Sequence, residues 1–109
     1  MIIRRWQAVA TDERAYRTHF RRRVLPELRA IPGFEGALLL RRSIAAGQVE
    51  IEVLTLWRSM RAIRRFAGNN VERAVVEEEA RAVLQRFARR VRHYEVVLDS
   101  LRQPRVRRT

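Results

Sequence analysis

With 109 residues the chain has room for one domain with a real core and not for two, and its apolar share of 47% suits a globular fold. The absence of cysteine excludes disulfides, thiolate nucleophiles and Cys-ligated metal, and the absence of lysine excludes Schiff-base chemistry and a Walker-type phosphate lysine. The 24 arginines outweigh 12 acidic residues to give a net charge of +12, but they are dispersed through the chain, so nucleic acid is not the expected partner.

No apolar run approaches the eighteen or so residues of a membrane span, and the opening MIIRRWQAVA carries charges where a signal peptide would be apolar. A cytoplasmic protein with no membrane partner is expected. The domain is read over residues 1–100, followed by a basic, disordered tail over 101–109, in which RQPRVRRT offers one small apolar side chain and a proline.

In chain order, Ile2 to Val9 reads as a strand with β-branched and aromatic members. Thr11, Asp12 and Glu13 then supply an N-cap and an acidic first turn. In the helix that follows, Tyr16, Phe20, Val24 and Leu28 recur every fourth residue among arginines, which predicts one buried stripe. Pro26 falls inside the pattern and predicts a kink or break there, and Ile31-Pro32-Gly33 ends the helix. His19, beside Phe20 among arginines, reads as a partly exposed surface residue.

Phe34 to Arg42 and Gln48 to Trp57 read as two strands of a hairpin joined by Ser43 to Gly47. Ala37-Leu38-Leu39-Leu40 and Val53-Leu54-Thr55-Leu56 are apolar at both parities, whereas a sheet with one wet face alternates. Both faces are therefore expected to be covered. Ser59 caps a short helix with Ala62, Ile63, Phe66 and Ala67 on one side and a stop at Gly68-Asn69-Asn70. Glu77-Glu78-Glu79 opens a further helix and Arg86, Arg89 and Arg90 close it, with Ala80, Val83, Leu84, Phe87 and Val91 as its apolar stripe. A last strand runs from Val91 to Leu98.

This order is βαββαβ, the split βαβ or ferredoxin-like arrangement of the α+β class: a four-stranded antiparallel sheet with strand one between strands three and four, and both helices on one face. The other face, apolar by the parity argument, is most simply covered by a second copy under two-fold symmetry, giving a homodimeric α+β barrel.

Trp57-Arg58-Ser59, Ala62-Ile63-Arg64-Arg65-Phe66-Ala67-Gly68 and His93-Tyr94-Glu95-Val96, with Leu25-Pro26 and Pro32-Gly33-Phe34, together resemble the antibiotic biosynthesis monooxygenase (ABM) domain family over residues 2 to 98. The resemblance implies a scaffold shared by cofactor-independent monooxygenases, haem-degrading enzymes and small-molecule isomerases. Its monooxygenase branch removes a proton from an aromatic, polyketide-like phenol and lets the anion react directly with oxygen. That chemistry needs an apolar pocket, a donor for the developing oxyanion and one base, and neither metal nor other cofactor. On this reading His93 is the base or donor, Trp6 and Trp57 are aromatic walls, Tyr94 and Gln7 are polar handles, and Tyr16, Phe20 and Phe66 line the helix side. Each has a plainer reading as well: Trp57 as a plug at the domain end, the three helix aromatics as core, and His93 as a strand histidine satisfied by a neighbour.

The haem-degrading pattern calls for a tryptophan at Phe66, an axial histidine near Val76 and an asparagine near Gln7, and all three depart from it. The expected function is thus cofactor-independent oxygenation of a small aromatic ligand, the alternative being a non-catalytic small-molecule-binding module on the same scaffold.

Overall fold

Alternating burial along one strand orients the whole molecule. In the computed structural model, which describes residues 1–101, β3 (Gln48–Trp57) buries Ile51, Val53, Thr55 and Trp57 and leaves Glu52, Leu54 and Leu56 partly exposed. That period of two is the mark of a strand with one covered face. β1 (Ile2–Ala10) lies antiparallel to β3 with Trp6 opposite Val53, and β2 (Phe34–Ala45) flanks β3 with Leu39 opposite Val53. β2 and β3 meet at a turn over Ala46 and Gly47, where Gly47 takes the positive φ of 70°. The expected five-residue connection is shortened, because both strands extend further than the apolar runs suggest.

The far side of β1 is where the expected topology needs correction. Five strands rather than four form the sheet, because two short strands share that edge: β4 (Leu84–Phe87) pairs with Ala8 to Ala10, and β5 (Arg92–Glu95) pairs with Ile2 to Arg5. The predicted helix over the second acidic segment shrinks to one turn, α4 (Glu78–Arg81). Leu84 and Phe87 stand three residues apart, a helical spacing, and a β-bulge reproduces it. Ala10 pairs with Leu84 and Val9 with Arg86, so the extra residue Gln85 lets Leu84 and Phe87 both turn toward the core. The last strand is likewise shorter than expected, with Val97 and Leu98 beyond it and exposed.

All helices lie on one face of the sheet, as predicted. α1 (Glu13–His19) is capped by the Asp12 side chain, which accepts from the Ala15 N–H at 3.0 Å. It passes through a π-helical turn, Phe20–Val24, into α2 (Leu25–Arg29). The helix neither breaks nor stops at Pro26. The irregularity comes a turn earlier, where the Leu25 N–H donates to the Phe20 carbonyl five residues back. Four residues overshoot a 3.6-residue turn by about 40°, so a strict four-residue stripe would spiral off one face of a regular helix. The wider turn between Phe20 and Val24 returns Val24 and Leu28 to the face that Tyr16 and Phe20 occupy.

α3 (Met60–Ala67) begins at the predicted Ser59 cap, whose hydroxyl accepts from the Ala62 N–H at 3.2 Å. It lies so close to the end of α2 that a Cβ on Gly33, which has φ 94°, would meet the Ala62 Cβ at 2.5 Å. Only glycine satisfies both the dihedral and the approach. Between Gly68 and Glu77 the chain runs mostly without regular structure across the open end of the helical layer. The molecule is thus α+β with an antiparallel five-stranded sheet, compatible with a ferredoxin-like fold. No helix among the described residues is long and apolar enough to cross a membrane. The basic tail expected after residue 101 lies outside the described residues.

Candidate functional site

A cavity of about 70 Å³ is left between the sheet and the helical layer. Its floor is the covered face of the sheet, with Arg4 and Trp6 from β1 and Val53 and Thr55 from β3. Its roof is the helical stripe with His19, Phe66 from α3, and Val75, Val76 and Glu77 from the irregular segment.

Four of the residues predicted to hold a ligand come together here: Trp6, Tyr16, Phe20 and Phe66. Trp6 is anchored by its indole N–H, which donates to the Ala88 carbonyl at 2.7 Å, and its ring stands 6.0 Å from that of Tyr16. Burial pushes the Tyr16 phenol well above its ordinary range, with the Glu77 carboxylate adding to the shift, so this side chain stays neutral. Phe20 continues the row at 6.4 Å from Tyr16.

The other predicted residues lie elsewhere. Trp57 is fully buried on the same face of β3, beyond Thr55 and off the cavity, stacked 5.9 Å from Phe66 and edge-on to Phe34, with its N–H given to the Thr55 hydroxyl at 2.8 Å. It is a plug rather than a cavity wall. Gln7 and Tyr94 have the opposite parity to Trp6 and His93 on their strands and face the uncovered side of the sheet, where Tyr94 is exposed.

His93 is directly opposite Arg4 in the β1–β5 ladder, on the covered face, but it does not line the cavity. Its Nε2 lies 3.2 Å from Nη1 of Arg4. A guanidinium can only donate, so this contact requires an unprotonated Nε2. Burial first, and then the Arg4 charge, lower the His93 pKa, with Glu72 opposing weakly. His93 therefore stands behind Arg4 as a neutral acceptor.

Two cavity residues were not anticipated. Arg4 is 4% exposed and donates to the carbonyls of Val71 and Arg73, at 2.8 Å for the latter, while its guanidinium carbon sits 5.7 Å from the Phe66 ring centre. Burial lowers its pKa to about 10, which leaves it charged at neutral pH. Among the described residues no carboxylate lies within ion-pair distance of it. The signal was its two-residue spacing from Trp6, which puts both on one face of β1.

His19, expected to be partly exposed at the surface, is the second. Its side chain is only 9% exposed and lines the cavity, and its buried Nε2 makes no hydrogen bond. Glu77 approaches that nitrogen to 3.6 Å and Glu79 approaches Nδ1 to 3.5 Å, both from the α4 side. Its place three residues after Tyr16, on the same stripe, was the legible sign.

Among the described residues no three histidine, aspartate or glutamate side chains converge as metal ligands would. No protein-family model matches the chain, and no curated protein matches it significantly.

Proposed function

We propose that this chain is a small-molecule-binding domain of the ABM type, paired through its sheet into a dimer, and that its reaction is cofactor-independent oxygenation of a small aromatic or polyketide-like substrate. The observation that carries this reading is the cavity between sheet and helices. An apolar enclosure walled by Trp6, Tyr16, Phe20 and Phe66, with a few convergent polar groups, is the usual form of a small-ligand site. Such a wall suits a planar ring, and an apolar, low-dielectric surround strengthens every electrostatic contact to a developing oxyanion.

At about 70 Å³ the cavity is smaller than the roughly 150 Å³ apolar void that accepts a benzene ring. A polycyclic substrate therefore enters by displacing the wall at Val75 to Glu77, which belongs to neither a helix nor a strand.

The uncovered face supports the dimer. Leu38 and Leu40 are 51% and 45% exposed there, beside Leu54, Leu56, Ile3 and Tyr94 of the same parity. A contiguous apolar sheet face of this kind is characteristic of an interface, and a second copy of the same face is self-complementary under two-fold symmetry.

A second reading, a binding module without turnover, is favoured by the position of His93, which is engaged by Arg4 and stands off the cavity wall. Oxygen uptake with anthrone-like and quinol substrates decides between them. Turnover above the buffer rate, lost when Ala80→Phe fills the cavity, is the outcome expected for the oxygenase. Binding that the same variant abolishes, with no oxygen consumed, establishes the module. Sedimentation at micromolar concentration is expected to give twice the 13.0 kDa chain mass, and a monomer removes the barrel from the proposal.

A further inference from the structure

The groups that close this cavity include a cation, Arg4, with no counter-ion among the described residues. A guanidinium has five N–H donors, and the protein takes up three contacts of Arg4: the carbonyls of Val71 and Arg73, and His93 Nε2. None of these carries a negative charge. Burying an unpaired charge is costly, and proteins ordinarily place a carboxylate beside it. The chain has carboxylates to spend: Glu52 pairs with Arg5 on the next residue of the same strand, and Glu13 holds both Arg17 and Arg41. Arg4, which points inward and lines the cavity, has no carboxylate within ion-pair distance among the described residues.

A second, independent feature lies across the same space. His19 Nε2 is buried, makes no hydrogen bond and belongs to a side chain more than nine-tenths buried in the cavity wall. The nearest acceptor, the Glu77 carboxylate, stands 3.6 Å from that nitrogen, beyond hydrogen-bond reach, so the site has room for a closer one.

We infer that the cavity is an anion site, built for a ligand bearing a carboxylate, which completes the environment of Arg4 and accepts a hydrogen bond from His19 Nε2. The aromatic walls receive the apolar part of the ligand. The Glu77 carboxylate on the same wall disfavours a second negative charge, so the class is a monoanion: a small aliphatic or aromatic monocarboxylic acid. This inference rests on the cavity being the ligand site and adds the charge and class of what it takes.

The test compares isosteric pairs, acetate with acetamide and benzoate with benzamide, at constant ionic strength held by sodium chloride, since a net charge of +12 attracts any anion loosely. Binding is read from the emission of Trp6, using a Trp57→Phe background, and from the rise in melting temperature. Each carboxylate is expected to bind at least tenfold more tightly than its amide. His19→Phe is expected to weaken the carboxylates at least threefold while leaving the amides unchanged, and Arg4→Met to abolish the discrimination. Arg4 also ties down the segment from Val71 to Arg73, so if Arg4→Met fails to fold, the wild-type ratio and His19→Phe decide the matter. Equal binding of acid and amide, or carboxylate binding indifferent to His19→Phe, overturns the anion site and leaves the cavity as a neutral ligand pocket; Arg4 is then only a tether. If neither class binds, the cavity reading falls together with it.

Discussion

Along β3 the side chains facing the helices, Ile51, Val53, Thr55 and Trp57, are all buried, while Glu52, Leu54 and Leu56 between them keep part of their surface in water. The two faces of the sheet are apolar to a similar degree in sequence, yet they reach this state differently. The covered face is closed within the chain by the α1–α2 stripe and α3, and the price of closing it is a buried cation, Arg4. On the other face the leucines of β2 and β3 stand beside an ion pair, Arg5 with Glu52, that is only partly buried. Burial within the chain fixes the first face once the domain folds, whereas the second is left uncovered by the described residues, and the proposed dimer would complete it. Changes on the two faces should therefore separate folding from association.

The largest effect is expected on the covered face. Trp57 is fully buried against Phe34 and Phe66 and satisfies its N–H through Thr55. Trp57→Ala should cost about 3–5 kcal/mol of unfolding free energy, the usual range for truncating a core aromatic, with the midpoint of urea denaturation as the measure. A loss below about 1 kcal/mol would mean that the helical layer is not packed as described.

Next in size is the change on the uncovered face. Leu38 and Leu54 are direct partners in the β2–β3 ladder, and replacing both by glutamate should halve the sedimenting mass while leaving the far-ultraviolet circular dichroism unchanged. Leu39→Glu, one residue along and on the covered face, should instead unfold the chain. If both variants behave alike, the distinction between the faces is lost.

Much of the covered face could be read from the sequence. The stripe from Tyr16 to Leu28, the Ser59 cap and the two hairpin strands all formed where the sequence placed them, with β2 running further than its apolar run. The misreadings share a cause, which is an irregular residue that imitates another period. Gln85, the bulge residue, gives Leu84 and Phe87 a helical spacing inside a strand. The π turn at Phe20–Val24 takes up an irregularity that Pro26 seemed to announce. The aromatic wall of the cavity, Trp6, Tyr16, Phe20 and Phe66, was legible, because aromatic residues on apolar stripes point inward almost by default. Arg4 and His19 were not, since composition assigns charged and titratable residues to the surface, and only their spacing from Trp6 and Tyr16 indicated otherwise. The wall from Val75 to Glu77 has no periodicity to read; tertiary contacts alone hold it, among them the Ala74 N–H to the Arg89 carbonyl at 2.8 Å.

The smallest expected effect concerns His93, which tests how the covered face tolerates its cation. In the folded chain burial and the neighbouring Arg4 hold the His93 pKa below the ordinary 6.5, and Glu72 offsets this only in part. The unfolded chain, without that environment, titrates near 6.5. Below that value the unfolded state binds a proton that the folded state does not, so the equilibrium moves toward unfolding as pH falls. The contribution of the neutral ring is thus fully present above pH 6.5 and is lost as pH falls through the window beneath it. Protonation would also set two cations side by side at the Arg4 contact and release the guanidinium from its acceptor. His93→Gln keeps a hydrogen-bond acceptor without a titrating ring, and its melting temperature should fall less steeply than the wild type between pH 6.5 and 5. Above pH 7 the two curves should run parallel. Because the comparison is a difference between two proteins, the titrating groups common to both cancel from it. Curves that stay parallel over the whole range would show that His93 titrates alike in both states, and that Arg4 does not depend on a neutral neighbour.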